Sequence, residues 1–263
     1  MDVMFLFLFL VILIFVVAMM IRIVLSAKLV NDKRMNKKLP WDKAVCINLD
    51  KNPERWVNIL RYSREMNMNI ERFPGVWGKE LDVNNPYNVS PTELQIEWDT
   101  TINGLYDPMI RKLGKTRMTS GEIGCALSHI RIWKKYQAID IETILIIEDD
   151  AEFIDSFRDI IEILWEMKPL DWDIIFLGFS NAGRKITKYN KYFYKPEYGF
   201  ETVGYIVNKR GLNKLVSMLP VSGPVDVWLS ERFYKLNVWA IEPRLITQNK
   251  MGKGDVQYSS HQN

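Results

Sequence analysis

Residues 144–153 read Ile144-Leu145-Ile146-Ile147-Glu148-Asp149-Asp150-Ala151-Glu152-Phe153, an apolar run that stops in three consecutive carboxylates. Ile and Leu on both faces mark a strand buried inside a parallel sheet. Its acidic end then falls at the carboxyl edge of that sheet, where open α/β sheets bind ligands. Adjacent carboxylates in a sheltered crevice repel one another unless a cation joins them. The chemistry on offer is a metal site that holds a phosphate-bearing ligand. Solvated loop acids, or acids serving the start of the helix that follows, would explain the same residues without a metal. The neighbouring segments therefore carry the weight.

Ala44-Val45-Cys46-Ile47-Asn48-Leu49-Asp50 reads as a strand ending in polar residues, and Asn52-Pro53-Glu54-Arg55 as a helix start with proline in its first turn. Trp56, Ile59 and Leu60 give that helix an apolar stripe, and residues 70–76 read as a second strand. A β-α-β opening predicts a parallel sheet with a right-handed crossover. Thr119-Ser120-Gly121-Glu122 fits a capping box at the head of a helix reaching about Gln137. Gly121, Gly124, Cys125 and Ser128 form a small-residue face on it, which lets the backbone come close to a strand or ligand. After the acidic strand the pattern predicts a helix over 156–167, strands over 171–178 and 200–208, and a helix over 211–219. Pro224 opens a further helix to about Leu236, and a last strand covers 238–241. Residues 78–116 show no periodicity. A loop of that length in a compact domain is usually functional, and part of an acceptor pocket is expected there.

The chain has 263 residues, 48% hydrophobic and 25% charged, which suits one α/β domain with a sizeable core or at most two small ones. A net charge of +3, without a basic stripe interleaved with aromatics, argues against a nucleic-acid partner. Cys46 and Cys125 fall inside regular elements and read as small buried hydrophobes rather than a disulfide. Asn88-Val89-Ser90 is a formal glycosylation sequon, and a weak one. Residues 3–21 carry no charge, and about 20 apolar residues suffice to cross a bilayer. Residues 1–25 are thus expected to form a single transmembrane anchor; a cleaved signal peptide would have a shorter core behind positive charge. Arg22, Lys28, Lys33, Arg34, Lys37 and Lys38 follow this segment. The positive-inside rule then places the domain in the cytoplasm, with a secretory lumen as the alternative. The expected organisation is an anchor (1–25), a basic stalk (26–43), a catalytic domain (44–250) and a polar tail (251–263).

Four segments taken together resemble one family. They are Ile47-Asn48-Leu49-Asp50 with Arg55; Gly121-Glu122-Ile123-Gly124-Cys125 running on through Ser128-His129 to Trp133; Glu148-Asp149-Asp150; and Gly204-Tyr205-Ile206-Val207 with Pro224-Val225-Asp226. Their order and spacing resemble glycosyltransferase family 25, which includes bacterial lipooligosaccharide galactosyltransferases and animal collagen galactosyltransferases. The resemblance covers residues 43–250. It implies a GT-A type fold, a single nucleotide-sugar-binding α/β domain with a mostly parallel central sheet. It also implies a UDP-sugar donor, most often UDP-galactose, inversion at the anomeric carbon, and Mn²⁺ or Mg²⁺ at the acidic motif. The acceptor would be a hydroxyl of a glycan, lipid-linked glycan or protein.

Roles then attach to residues. A divalent cation stabilises the charge that develops on a departing diphosphate, and carboxylate oxygens suit Mn²⁺ or Mg²⁺. Asp150 is expected as direct ligand, with Glu148 on the metal or the donor ribose. Asp149 points to the other side if the pleat continues and serves structure or the sugar. Asn48, Asp50 and Arg55 follow the first strand, where they can meet the nucleotide's base, ribose and phosphate. Ser128 and His129 complete the donor side, His129 either donating to the diphosphate or bridging helix and sheet as a satisfied core residue. Inversion needs a base for the acceptor hydroxyl, and Asp226 is the candidate, with a helix-start aspartate as the bland alternative. Glu231 is a weaker candidate base, and His261 a possible further metal ligand. Two other classes compete. A non-catalytic binding relative would be expected to lose its acidic triplet first. A nucleotidyltransferase would want a glycine-rich phosphate loop after the first strand, and residues 48–53 contain no glycine.

Overall fold

A computed structural model describes residues 12–13, 15–17, 19–25, 38–103 and 114–249. The chain divides into two compact units, Met1–Leu39 and Pro40–Asn263. In the first unit residues 12–13, 15–17 and 19–25 are helical, and Lys38 and Leu39 lie outside regular structure. Among the described residues no helix is long and apolar enough to cross a membrane. The single-pass anchor expected over 1–25, and the cytoplasmic placement inferred from its flanking charges, are corrected on that finding. Residues 26–37 of the stalk and the tail, His261 included, lie outside the described residues.

The second unit is built in chain order from β1 (Lys43–Asn48), α1 (Pro53–Glu65), β2 (Ile70–Pro74), β3 (Leu94–Gln95), β4 (Glu97–Asp99), β5 (Lys115–Arg117), α2 (Ser120–Gln137), β6 (Thr143–Glu148) and β7 (Ala151–Phe153). It continues through α3 (Phe157–Glu166), β8 (Ile174–Asn181), β9 (Lys185–Lys188), β10 (Phe193–Pro196), β11 (Gly199–Asn208), α4 (Lys209–Ser217), β12 (Val221–Ser222), α5 (Val225–Ser230), β13 (Val238–Ile241) and β14 (Ile246–Gln248). The central sheet has eight strands in the order β2-β1-β6-β11-β8-β13-β10-β9. β1 pairs parallel with β2 and β6, and β13 parallel with β8. β11 lies antiparallel between β6 and β8, and β10 runs antiparallel to both β13 and β9. The expected mostly parallel sheet is therefore a mixed one, with β10 and β11 opposing the other strands. The cause is connectivity: β8 is followed by a β9–β10 hairpin at the far edge of the sheet, and β11 then returns antiparallel between β8 and β6 without a helical crossover.

β6 is buried at all its central positions, so both faces of the sheet must be covered. Ile144 and Ile146 belong to one large core cluster with Ile123, Ile130 and Trp133 of α2, Leu212 and Leu215 of α4, and Val227 and Trp228 of α5. Leu145 and Ile147 alternate to the other face, and Ile59 of α1 and Phe157 and Ile161 of α3 are buried outside that cluster. Burying each such side chain contributes about 1.5–3 kcal/mol.

α2 opens with both halves of its capping box: Glu122 N–H donates to Thr119 Oγ1 (3.2 Å) and Thr119 N–H to Glu122 Oε2 (2.7 Å). Its small-residue face is needed for a backbone crossing. A Cβ on Gly124 would stand 2.4 Å from the Val76 carbonyl oxygen. The helix expected from Pro224 to Leu236 is shorter: α5 ends at Ser230, and a separate 3-10 turn follows at Phe233–Lys235, because Arg232 leaves helical geometry at φ −111°, ψ 8°. Residues 78–116 hold short pieces, including β4 paired with β5 and β3 paired with β12; 104–113 lie outside the described residues.

Candidate active site

Parallel pairing of β1 and β6 brings both carboxyl ends to one sheet edge, with Ile47 beside Glu148. There a cleft of about 420 Å³ opens, with Glu148, Asp149, Asp150, Cys125, His129 and Asp226 in its walls. Glu148 closes β6 with Asp149 and Asp150 just beyond it, Asp226 opens α5, and Cys125 and His129 stand one turn apart along α2.

Glu148 closes β6 and is held on one oxygen. Thr202 Oγ1 donates to Oε1 at 2.6 Å, and His129 Nε2 lies 3.3 Å from the same atom. Burial pushes this carboxyl up, but His129 and the Thr202 hydroxyl outweigh it, and its pKa lies below the ordinary glutamate value. Behind it, His129 Nδ1 is 2.9 Å from the Tyr205 hydroxyl, to which Trp133 Nε1 donates at 2.8 Å. His129, Trp133 and Tyr205 are fully buried.

Asp149 is held by other partners than Glu148. Its Oδ2 accepts from Asn48 Nδ2 at 2.7 Å and its Oδ1 from Arg55 Nη1 at 3.0 Å. Burial raises its pKa, against the downward pull of Asn48 and Arg55. Asn48 is buried and fully engaged: Nδ2 also donates to Asn52 O at 2.9 Å, and Oδ1 accepts from Arg72 Nε at 2.7 Å. It orients Asp149, with no polar atom left over for a ligand. Asp50 projects into solvent with its side chain 85% exposed, bonded to Arg72 and outside the cleft wall. Arg55 lines the cleft. Ser128 also reaches the wall, but its hydroxyl accepts from Val76 N–H (2.8 Å) and donates to Gly124 O (2.7 Å), stitching α2 to the chain after β2.

Asp150 is the carboxylate with a vacancy in its hydrogen bonding. Oδ2 accepts from Gln248 Nε2 at 2.8 Å, whereas Oδ1 is buried and accepts nothing. Burial, then the neighbouring Glu148 charge, pushes its pKa up to about 7. A buried orphan carboxylate oxygen is what a hard cation relieves, and both hydrogen bonds recorded for Glu148 fall on Oε1, which leaves Oε2. The donor set fits Mn²⁺ or Mg²⁺. Cys125, His129 and Glu148 offer a second set of ligand atoms, within 4.8 Å of one another.

Asp226 sits in the first turn of α5. Its Oδ1 accepts from Val227 N–H at 2.9 Å and its Oδ2 from Glu201 N–H at 3.1 Å. Burial pushes its pKa up to about 6, against those two bonds. A carboxylate with that pKa is ionised at neutral pH yet basic enough to take a proton. Glu231 pairs with Arg232 at 3.2 Å and lines a different cavity, near Tyr234 and Asn237.

Glu201, Thr202 and Gln248 carry parts of this site that local sequence did not flag as functional, and Tyr205 was named there only within a family motif, with no role. Glu201 adopts φ +73°, and the β11–β8 register shifts between Phe200 and Gly204. Such a bulge re-aims side chains beside active sites. Gln248 arrives because β14 pairs antiparallel with β7. The only sequence signal nearby was the Gly204-Tyr205 motif.

Comparison with known proteins adds the following. The family model described as glycosyltransferase family 25 (LPS biosynthesis protein) matches residues 42–229. A glycosyltransferase 25 family member of Anopheles gambiae is 30% identical over 203 residues, covering 74% of this chain and 32% of its own. Procollagen galactosyltransferase 2 of Homo sapiens is 29% identical over 208 residues, 75% of this chain and 31% of its own. A second human relative, named inactive glycosyltransferase 25 family member 3, is 27% identical over 229 residues, 81% of this chain and 36% of its own. The chain thus spans about a third of the length of these relatives.

Proposed function

This chain belongs to glycosyltransferase family 25, and we propose that it is an active, metal-dependent, inverting hexosyltransferase that moves galactose from UDP-galactose to a glycan, lipid-linked glycan or protein hydroxyl. One observation carries the reading: a carboxylate with an orphaned oxygen, Asp150, and a carboxylate with a pKa near 6, Asp226, share one cleft inside the matched region. The galactose donor follows from the name of the human relative.

Asp150 Oδ1 and Glu148 Oε2 would hold Mn²⁺ or Mg²⁺, which when bound neutralises charge growing on the departing diphosphate. Glu148 is kept anionic and fixed by His129 and Thr202. Arg55, anchored on Asp149, faces the cleft as a cationic donor toward phosphate oxygens. Asp226 takes the acceptor hydroxyl proton while that oxygen bonds to the anomeric carbon. The bond from that carbon to the phosphate oxygen breaks, and its electron pair leaves with UDP. Glu201 N–H and Val227 N–H hold the Asp226 carboxylate in place for this task.

A relative named inactive shares the family, so membership alone does not decide turnover. What favours turnover here is that Asp150, with its orphaned oxygen, and Asp226, lifted by burial to about 6, line the same cleft. The test is UDP release by the full chain across a panel of UDP-sugars, with and without Mn²⁺, and with Asp150→Ala as control. Metal-dependent release from one donor, lost in the variant, supports the proposal. Donor binding with no release to any glycan or protein acceptor would make the chain a binding relative.

A further inference from the structure

The Cys125, His129 and Glu148 cluster is a latent trap for a borderline-soft metal such as zinc. A thiolate, an imidazole nitrogen and a carboxylate oxygen are the ligand types zinc takes, with a fourth position open. Cys125 and His129 both reach the cleft wall, so an ion could arrive. A zinc ion there would take Glu148 from the pair it forms with Asp150.

The hydrogen bonds behind His129 oppose that outcome. Trp133 Nε1 can only donate, and it donates to the Tyr205 hydroxyl oxygen at 2.8 Å. The Tyr205 hydroxyl has one proton and is fully buried. Its other polar neighbour is His129 Nδ1 at 2.9 Å. That proton must go to Nδ1 or remain buried and unbonded, so Nδ1 is an acceptor. In a neutral imidazole the ring proton then sits on Nε2, which points at Glu148 Oε1, 3.3 Å away. A nitrogen that carries a proton has no lone pair for a metal.

We propose that the Tyr205 hydroxyl sets the metal selectivity of the cleft: it locks His129 in the Nε2–H tautomer, which keeps the trap shut and leaves Glu148 to a hard cation. Closing the trap would release the Cys125 thiol proton to solvent and move the His129 proton from Nε2 to Nδ1. The Tyr205 hydroxyl would then have no acceptor. Tyr205 and Trp133 touch no substrate; they are positioning residues. The use of the lock, a cleft reserved for Mn²⁺ or Mg²⁺, rests on the transferase reading above, whereas the lock itself rests on the hydrogen bonds alone.

Two measurements on the full chain decide it. The sequence has only two histidines, so imidazole nitrogen NMR, with His261→Ala for assignment, reads the His129 tautomer directly. Protonated Nε2 and bare Nδ1 are expected; the opposite tautomer would overturn the lock. Zinc affinity is then compared by calorimetry for the native chain, Tyr205→Phe, and Tyr205→Phe with Cys125→Ala. Tyr205→Phe should bind zinc at least tenfold more tightly (about 1.4 kcal/mol), and the second substitution should cancel that gain. An unchanged affinity, or a gain that survives loss of Cys125, would refute the proposal. Should Tyr205→Phe fail to fold, the NMR result on the native chain still decides. Loss of UDP-sugar turnover with both results intact would overturn the transferase reading and leave the lock standing.

Discussion

Asp226→Asn separates the proposed catalytic role from a structural one, because the two predict different dependence on pH. In the folded protein burial lifts the Asp226 pKa from 3.8 to about 6. At 1.36 kcal/mol for each tenfold change in proton affinity, that rise corresponds to about 3 kcal/mol. The sign follows from proton linkage. Between pH 3.8 and about 6 the folded state holds the proton that the unfolded chain has released, so stability falls as pH rises through that window and the full cost is present above it. Asparagine removes the cost. It also surrenders one of two acceptor oxygens, so either Glu201 N–H or Val227 N–H loses its partner, at about 1–2 kcal/mol. The net expectation is a variant about 1–2 kcal/mol more stable than the parent at pH 7.5 and about 1–2 kcal/mol less stable at pH 4. Urea denaturation at the two pH values reads this. The same sign of change at both would show that Asp226 carries no ionisation penalty and would remove the physical basis for calling it a base. In parallel, UDP-sugar affinity should hold while transfer drops about 10²–10⁴-fold. For the parent, kcat/KM should rise with pH about a midpoint near 6.

The remaining expectations are briefer. Asp150→Ala should weaken Mn²⁺ binding at least about tenfold, measured by titration of the Mn²⁺ magnetic resonance signal; native affinity in the variant would take Asp150 out of the ligand set. Thr202→Val deletes the hydroxyl that donates to Glu148 at 2.6 Å and should cost about 1.5–3 kcal/mol in urea, a near-zero change meaning that water replaces it. Gly124→Ala forces a Cβ to 2.4 Å from the Val76 carbonyl and should cost about 1–3 kcal/mol, seen as a drop in Tm; an unchanged Tm would mean that α2 shifts freely. Asp173→Ala breaks a fully buried carboxylate that accepts from Arg210 Nε, Lys214 Nζ and Asn237 N–H and should destabilise by about 3–5 kcal/mol, a loss under about 1 kcal/mol showing that the two cations simply return to water.

What could be read from the chain, and what could not, divides by range. β1, β6 and the capping box of α2 were legible because each depends on residues within one element: an unbroken apolar run, or Thr119 facing Glu122 three positions on. The segments that carry the family resemblance are local in the same way, each lying within or at the end of one element. Roles within that edge were harder. Asn48 and Ser128 look like ligand contacts as polar residues at strand and helix positions, yet their hydrogen bonds close on Asp149, Arg72, Val76 and Gly124. Asp50, one pleat away from the wall, turns to solvent. The sheet reads as parallel from local pattern because buried strands look alike whichever way they run; β11 reveals its direction only by pairing. Gln248 and Thr202 could not be flagged, because each meets its acidic partner across long stretches of chain.

β11 does more than fill the sheet, and its irregularity accounts for the arrangement of the acids. A regular strand would send neighbouring residues to opposite faces. Here Glu201 takes φ +73° and the register with β8 slips between Phe200 and Gly204, so consecutive residues serve one cleft. The Glu201 N–H holds Asp226, and the Thr202 hydroxyl holds Glu148. Glu201 also ties its carboxylate to Arg244 at 3.1 Å, just ahead of β14. A non-glycine residue at that φ costs about 1–3 kcal/mol and persists only where its surroundings over-determine it. Three separate bonds from two adjacent residues supply that determination. The bulge thereby couples the acid proposed to accept the proton with one of the acids proposed to hold the cation, so that a shift of one perturbs the other through a single strained turn of backbone.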